Sequence, residues 1–352
     1  MSESENMPIK VGDAGALEVI DENIVKLCAD PEIYKIIVPF ENYSTSATNC
    51  YVIRDAGEVL IVDTGAPTDE ACEVLVESLG KLGVDPHKAS YFLTHFHLDH
   101  AGLVDRLVDR SMPLYLSYAD FIHMVRARTV SYRNEVIERM GKENIADSHE
   151  EYTMRFGVGL DSFDEHGRNL HLMEEGDVIK VGTLELQVML TAGHTPGHLS
   201  LYEPKSRSLF CGDHILFVIS PGLALRPDFD NTLDTYISNL RRVQELAPVR
   251  LLYSHGRLRG DWNERIEWLI KHHLDRVEEA QGIIERAPGM FGKQIIQTIK
   301  WNVPYDNWED IPVMQRWCIL EEGIVFLDYL VNRGSIIREE DESGLYRYYA
   351  SH

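Results

Sequence analysis

Four apolar, β-like runs of this chain end on a histidine or an aspartate, and that repeated punctuation constrains the fold more than any other feature. "ASYFLTH" (89–95) reads as a strand that runs into the motif "THFHLDH" (94–100), "TLELQVMLTAGH" ends at His194, "SLFCGDHILF" carries Asp213, and "VRLLYSHGR" carries His255. Short runs rich in Val, Ile, Leu and Tyr, bounded by Gly or polar residues, read as strands. Side chains placed at the ends of several strands can be gathered on one edge of a rigid scaffold. Earlier runs, "IYKIIVPF" (33–40), "NCYVIRD" (49–55) and "EVLIVDTG" (58–65), extend the β pattern. Between them and the first histidines, Cys72, Leu75, Val76 and Leu79 fall at helical spacing within 69–83, with Gly80 and Gly83 as stop signals. The chain reads as an α/β protein.

Histidines at i and i+2 on extended backbone point the same way, so His95 and His97 can chelate one cation. Asp99 and His100 fall in the next turn and can face a second. Neutral imidazole and carboxylate are the ligands that a borderline metal such as zinc prefers. His194, Asp213 and His255 are the further candidates, and an aspartate at a strand end can bridge two cations with its two oxygens.

Composition removes several alternatives. With 57 acidic against 34 basic residues the formal charge is −23. Such a field repels phosphate backbones and anionic lipid, so nucleic-acid and membrane partners are disfavoured. Small substrates of either sign remain, because a bound metal inverts the local field. The five cysteines (Cys28, Cys50, Cys72, Cys211, Cys318) are scattered and form no CxxC, which fits reduced thiols. No signal-peptide pattern is visible, and no apolar run approaches the ~20 residues of a membrane span. A cytoplasmic location is expected.

As a set, "HxHxDH", "HTPGH" (194–198), the "GD" at 212–213, "SHG" (254–256) and the earlier "IVDTG" (61–65) resemble the motifs of the metallo-β-lactamase superfamily, over roughly residues 17–262. The resemblance implies an αββα sandwich with metals at one edge. It implies His95, His97 and His194 on one ion, Asp99, His100 and His255 on the second, and Asp213 bridging. Asp63 would accept a hydrogen bond that holds a ligand histidine in the right tautomer. The implied cofactors are two divalent ions, zinc first, with iron or manganese as alternatives. Two cations sharing an oxygen acidify water and polarise a carbonyl or phosphoryl group. Asp99 is the expected catalytic residue, orienting a metal-bridging hydroxide and shuttling its proton, and a metal-dependent hydrolase is the expected enzyme.

The surroundings of the motifs narrow the substrate. "SRSLFCGDHIL" and "HTPGHLSLYEP" are similar to the hydroxyacylglutathione hydrolase (glyoxalase II) pattern, which implies a small ester or thioester. Superfamily lactonases usually place a tyrosine shortly after the bridging aspartate, where this chain has Leu216. Flavodiiron oxidoreductases carry glutamate where this chain has His97 and append a flavodoxin domain, for which no Gly-rich phosphate loop is present. A metal-dependent endoribonuclease or phosphodiesterase is the alternative. A non-catalytic, metal-stabilised binding protein is the alternative of another class.

Three regions are expected: an arm over 1–16, a catalytic domain over 17–262, and a winged-helix-like domain over 263–352. Within the second, 119–165 is a helical insertion and a candidate lid. Its Arg126, Arg128 and Arg133, together with His214, are candidate substrate contacts, against the plainer reading of solvated helix-face arginines and a structural histidine. His198 reads as structural as well. The C-terminal region reads as helices over 265–287, near 294–301 and over 312–331, then a hairpin around "DESG". It resembles the winged helix of the lactamase-beta-2-like branch, whose HxxxR pattern His272 and Arg276 echo, although any helix sets i and i+4 on one face. The recognition-helix position, 312–331, has Arg316 as its only basic residue. It suits packing or homo-oligomer formation better than phosphate contact.

Overall fold

The computed structural model describes residues 17–40, 45–145 and 163–351; the expected arm over 1–16 lies outside them. Two sheets face each other. The first runs in chain order: β1 (Glu18–Val19), β2 (Ile24–Ala29), β3 (Glu32–Pro39), β4 (Ala47–Asp55), β5 (Glu58–Val62), β6 (Ser90–Phe92), β7 (Leu114–Ser117) and β8 (Leu170–Met173). It is antiparallel up to β5 and parallel from β5 to β8. Parallel neighbours need a crossover, which α1 (Asp69–Lys81) supplies between β5 and β6. Thr68 starts that helix by accepting from the Ala71 N–H at 3.1 Å, and Asp69 and Glu70 complement its dipole.

The second sheet contains β9 (Val178–Val181), β10 (Leu184–Leu190), β11 (Leu199–Glu203), β12 (Ser208–Gly212) and β13 (Arg250–Tyr253), in the order β13-β12-β11-β10-β9. Period-two alternation decides which side chains meet. Tyr51, Ile53, Leu60 and Val62 face inward against Leu186, Val188, Leu201 and Phe210, all buried. The intervening Cys50, Val52 and Ile61 face the other way, beneath Leu75 and Leu79 of α1. Each such side chain contributes roughly 1.5–3 kcal/mol when fully buried. The result is the α/β sandwich expected from the sequence.

One expectation needs adjusting. The strand predicted through His95 stops at Phe92. The Leu93 N–H still bonds Tyr115 O of the first sheet at 2.9 Å, but Thr94 O accepts from Leu199 N of the second sheet at 2.8 Å. The chain therefore crosses from one sheet to the other at residue 94. It then enters α2 (Leu98–Ala101) and α3 (Val104–Leu107). His95 and His97 sit on this crossing, at the shared edge.

The insertion forms α4 (Tyr118–Ala127) and α5 (Val130–Lys142). The remainder of the candidate lid, 146–162, lies outside the described residues. α6 (Thr232–Leu246) connects β12 to β13. The C-terminal region contains α7 (Trp262–Arg286), β14 (Met290–Phe291), α8 (Gly292–Thr298), α9 (Val313–Asn332), β15 (Ile336–Glu340) and β16 (Tyr346–Ala350), with sheet order β14-β16-β15. The terminal hairpin is present as β15–β16. Helix α9 buries Trp317, Leu320, Ile324, Phe326 and Leu327 and lies against α6, α7 and α8. Trp301 stacks on Phe326, 6.2 Å between ring centroids, and so packs within the C-terminal region. Among the described residues no helix is long and apolar enough to cross a membrane, and none of the five cysteines is in a disulfide there.

Candidate metal centre

Seven side chains from separate segments converge at the sandwich edge. His95 and His97 come from the crossing after β6, and Asp99 and His100 from α2. His194 follows β10, Asp213 follows β12, and His255 follows β13. Their ligand atoms form three overlapping groups, His95–His97–His194, His95–His100–Asp213 and Asp99–His100–His255, each within 4.8 Å.

Hydrogen bonds on the far side of each ring decide what faces inward. His194 Nδ1–H donates to Gly222 O at 2.8 Å, and His255 Nδ1–H donates to Ala47 O at 2.8 Å. His100 Nδ1–H donates to Asp63 Oδ2 at 2.9 Å. Thr94 gives its hydroxyl proton to Asp63 at 2.9 Å, leaving its oxygen to accept from His95 Nδ1 at 3.1 Å. Because these partners accept, each neutral ring presents a bare Nε2 to the centre. His97 Nδ1 lies 3.0 Å from both His95 Nε2 and His194 Nε2.

His100 Nε2 and His255 Nε2 are 3.2 Å apart. Two lone pairs at that distance repel and two N–H groups would clash, so the pair must share one positive species, a proton or a metal ion. The carboxylates point to the same need. Asp213 Oδ2 lies 3.6 Å from His194 Nε2, while its Oδ1 lies 3.3 Å from His255 Nε2 and 3.6 Å from His100 Nε2. That Oδ1 is buried and has no hydrogen-bond partner among the described residues. A buried oxygen of a carboxylate is costly when unsatisfied; a metal on each side would satisfy both oxygens. Asp99 Oδ2 is 3.3 Å from His255 Nε2.

Electrostatics are consistent with this. Burial and neighbouring histidines hold His95 and His97 well below the usual imidazole range. Burial would lower His100 and His255 as well, but Asp213 and Asp99 around them win, raising His100 and pushing His255 up to about 10. The pocket of carboxylates draws positive charge.

The supporting residues are set as tightly. His198 is fully buried; its Nε2 accepts the Asp213 N–H at 3.1 Å and its Nδ1 meets Thr191 Oγ1 at 2.9 Å. Gly212, just before Asp213, has φ +50°, and a Cβ there would meet His198 Nε2 at 2.6 Å, so the turn that aims Asp213 requires glycine. Asp120, fully buried, accepts from Thr195 Oγ1 at 2.8 Å and Gly197 N at 2.6 Å, pinning the loop that carries His194.

The candidate substrate contacts are placed differently. His214 is fully buried, with its ring against His198 and Tyr236. Arg126 pairs with Glu135 at 2.6 Å and with Asp228 at 3.3 Å, Arg128 pairs with Glu165 at 3.0 Å, and Arg133 is exposed. Sequence reasoning passed over Thr94 and Asp120, which carry no motif of their own.

Comparison with known proteins agrees with this geometry. A family model described as "Metallo-beta-lactamase superfamily" matches residues 44–255. The chain is similar to a beta-lactamase-like protein 2 homolog of Caenorhabditis elegans, 24% identical over 269 residues, covering 75% of this chain and 74% of that protein. It is also similar to a hydroxyacylglutathione hydrolase of Bdellovibrio bacteriovorus, 33% identical over 81 residues, which is 23% of this chain and 30% of that protein. A solved metallo-beta-lactamase family protein from Thermus thermophilus shares the fold with a TM-score of 0.72 at 23% identity, over 90% of this chain and 98% of that one. With the family model spanning more than half of its residues and the ligand-like side chains gathered at the sandwich edge, this chain belongs to the metallo-beta-lactamase superfamily.

Proposed function

We propose that the chain is a hydrolase of small ester or thioester substrates that works with two divalent metal ions, zinc being the ion that imidazole and carboxylate ligands suit best. His95, His97 and His194 would hold one ion and Asp99, His100 and His255 the other, with Asp213 between them. Such a pair polarises a carbonyl oxygen and acidifies water. The single observation that carries the reading is the convergence of ligand atoms into the groups His95–His97–His194, His95–His100–Asp213 and Asp99–His100–His255, each within 4.8 Å.

The protein's own residues divide the remaining work. Asp63 and Thr94 orient His100 and His95. Asp99 is the most exposed of the clustered carboxylates, its side chain 23% exposed, and can take up a proton on the open side. The 81-residue likeness to a hydroxyacylglutathione hydrolase favours a thioester. The C-terminal region, from about residue 263, is winged-helix-like and serves in packing, since α9 is buried along most of its length. Free cysteines support a reducing, cytoplasmic setting.

The test is turnover after chelation and reloading with zinc, iron or manganese, against S-lactoylglutathione, an acyl-CoA, a lactone, bis-p-nitrophenyl phosphate and single-stranded RNA. Thioester hydrolysis that tracks metal content supports the reading. Dominant RNA cleavage, lost in Asp99→Ala, replaces it with a nuclease. Metal binding without any turnover replaces it with a binding protein.

A further inference from the structure

Among the described residues, Arg226 is a cation with no counter-ion, in a chain of net charge −23. It lies on the segment between β12 and α6, the segment whose Gly222 carbonyl anchors His194. Its Nε is buried and has no hydrogen-bond partner among those residues. Two acids nearby are engaged elsewhere. Asp228 lies 3.5 Å from His123 Nδ1 and 3.3 Å from Arg126 Nη1. Asp120 accepts from Thr195 and Gly197.

Its place relates it to the metal edge. The guanidinium carbon is 6.0 Å from the Phe96 ring centroid, and the Phe96 ring meets the His97 ring edge-on at 4.9 Å. The positive charge is felt at His97, Asp120 and His123, whose proton affinities it lowers in addition to other causes, burial being the largest cause of the shift at each. Among the described residues this guanidinium has no ion pair and its Nε no partner, and such a planar fork beside a cluster of candidate metal ligands matches a carboxylate or phosphate.

We propose that Arg226 is a specificity-determining residue that binds an anionic group of the substrate, so that the substrates are small esters or thioesters carrying a carboxylate or phosphate away from the scissile bond. This rests on the hydrolase reading above. It moves substrate recognition from Arg126 and Arg128, which are paired, to the loop that anchors His194.

The test compares Arg226→Gln and Arg226→Lys with the unaltered zinc-loaded protein on two esters, neutral p-nitrophenyl acetate and anionic mono-p-nitrophenyl glutarate. Arg226→Gln should lower the preference for the anionic ester by about 10- to 100-fold, chiefly through KM, which is the scale of a lost charge-assisted contact. Arg226→Lys should recover part of it. An unchanged preference in Arg226→Gln overturns the proposal. Folding of both variants is checked by thermal melting, and Arg226→Lys, which loses the fork, is read in the same way if Arg226→Gln does not fold. If neither ester is hydrolysed, the hydrolase reading fails by itself. Calorimetric titration with glutarate and, separately, with inorganic phosphate then decides the role of Arg226. An affinity for either anion that falls about tenfold or more in Arg226→Gln supports the site and shows which anion it takes; equal affinity for both anions overturns it.

Discussion

Tyr348 donates a hydrogen bond to Glu143 Oε1 at 2.6 Å, joining residues 205 positions apart in sequence. Both side chains are buried, and burial raises the Glu143 carboxyl and the Tyr348 phenol alike. Arg139 pairs with Glu143 and, at 2.7 Å, with Asp328 of α9. The Lys293 N–H bonds Glu143 O at 3.0 Å. The insertion is therefore fastened to the C-terminal region through one charged, desolvated knot. Tyr348→Phe removes this hydrogen bond and leaves Oε1 with Arg139 alone, and the expected loss is about 1–3 kcal/mol, read as a lower urea midpoint at unchanged slope.

Asp63→Asn tests the tautomer argument. The carboxylate now accepts from His100 Nδ1 at 2.9 Å and from Thr94 N at 2.8 Å. An asparagine can offer an N–H to His100 instead, moving the ring proton to Nε2, where it points into the cluster. Metal affinity should fall about 10- to 100-fold, the usual scale for losing a partner behind a ligand. Competition with a chromophoric chelator measures it. An unchanged affinity would show that the ring orientation does not depend on Asp63.

The ends of the strands were legible because a ligand-rich stretch interrupts an apolar run, and no core position tolerates such residues without a reason. His95, His97, Asp99 and His100 lie within six positions, and His194, Asp213 and His255 carry the same signature singly. The end of β6 was misplaced because local propensity cannot register that the Leu199 N–H captures Thr94 O from another sheet. Arg126 and Arg128 drew attention as arginines of an insertion, yet Glu135, Asp228 and Glu165 claim them. Pairing of this kind depends on tertiary neighbours and leaves no mark along the chain.

Asp120 gives stability a pH dependence of known sign. Burial pushes its carboxyl up to about 7, against hydrogen bonds from Thr195 and Gly197, from an ordinary value of 3.8. Between these values the unfolded chain has released the proton and the folded chain still holds it. Stability from this group is therefore complete below about pH 4 and is lost as pH rises through 7. The size is on the order of a few kcal/mol. Asp120→Asn cannot ionise, so the stability of the native protein relative to this variant should decline between about pH 4.5 and 7.5 in urea titrations. A constant difference would show that Asp120 is ionised throughout.

Asp99 and Asp213 should differ in how many ions their loss costs. Asp99 Oδ2 lies 3.3 and 3.8 Å from the Nε2 atoms of His255 and His100. Asp213 faces His194 with one oxygen and His100 and His255 with the other. Replacing Asp99 by asparagine removes a ligand from one side only, so metal analysis after dialysis should show one ion retained and the other weakened. Asparagine at 213 puts an amide nitrogen, which cannot ligate, on one side and a weaker neutral oxygen on the other, so both ions should loosen. Thermal melting supplies a second readout: an ion present at a thousand times its Kd stabilises by about 4 kcal/mol. Chelator should consequently lower the melting temperature most in the native protein, less in Asp99→Asn and least in Asp213→Asn. Equal metal content in the two variants would mean that Asp213 does not join the two sites.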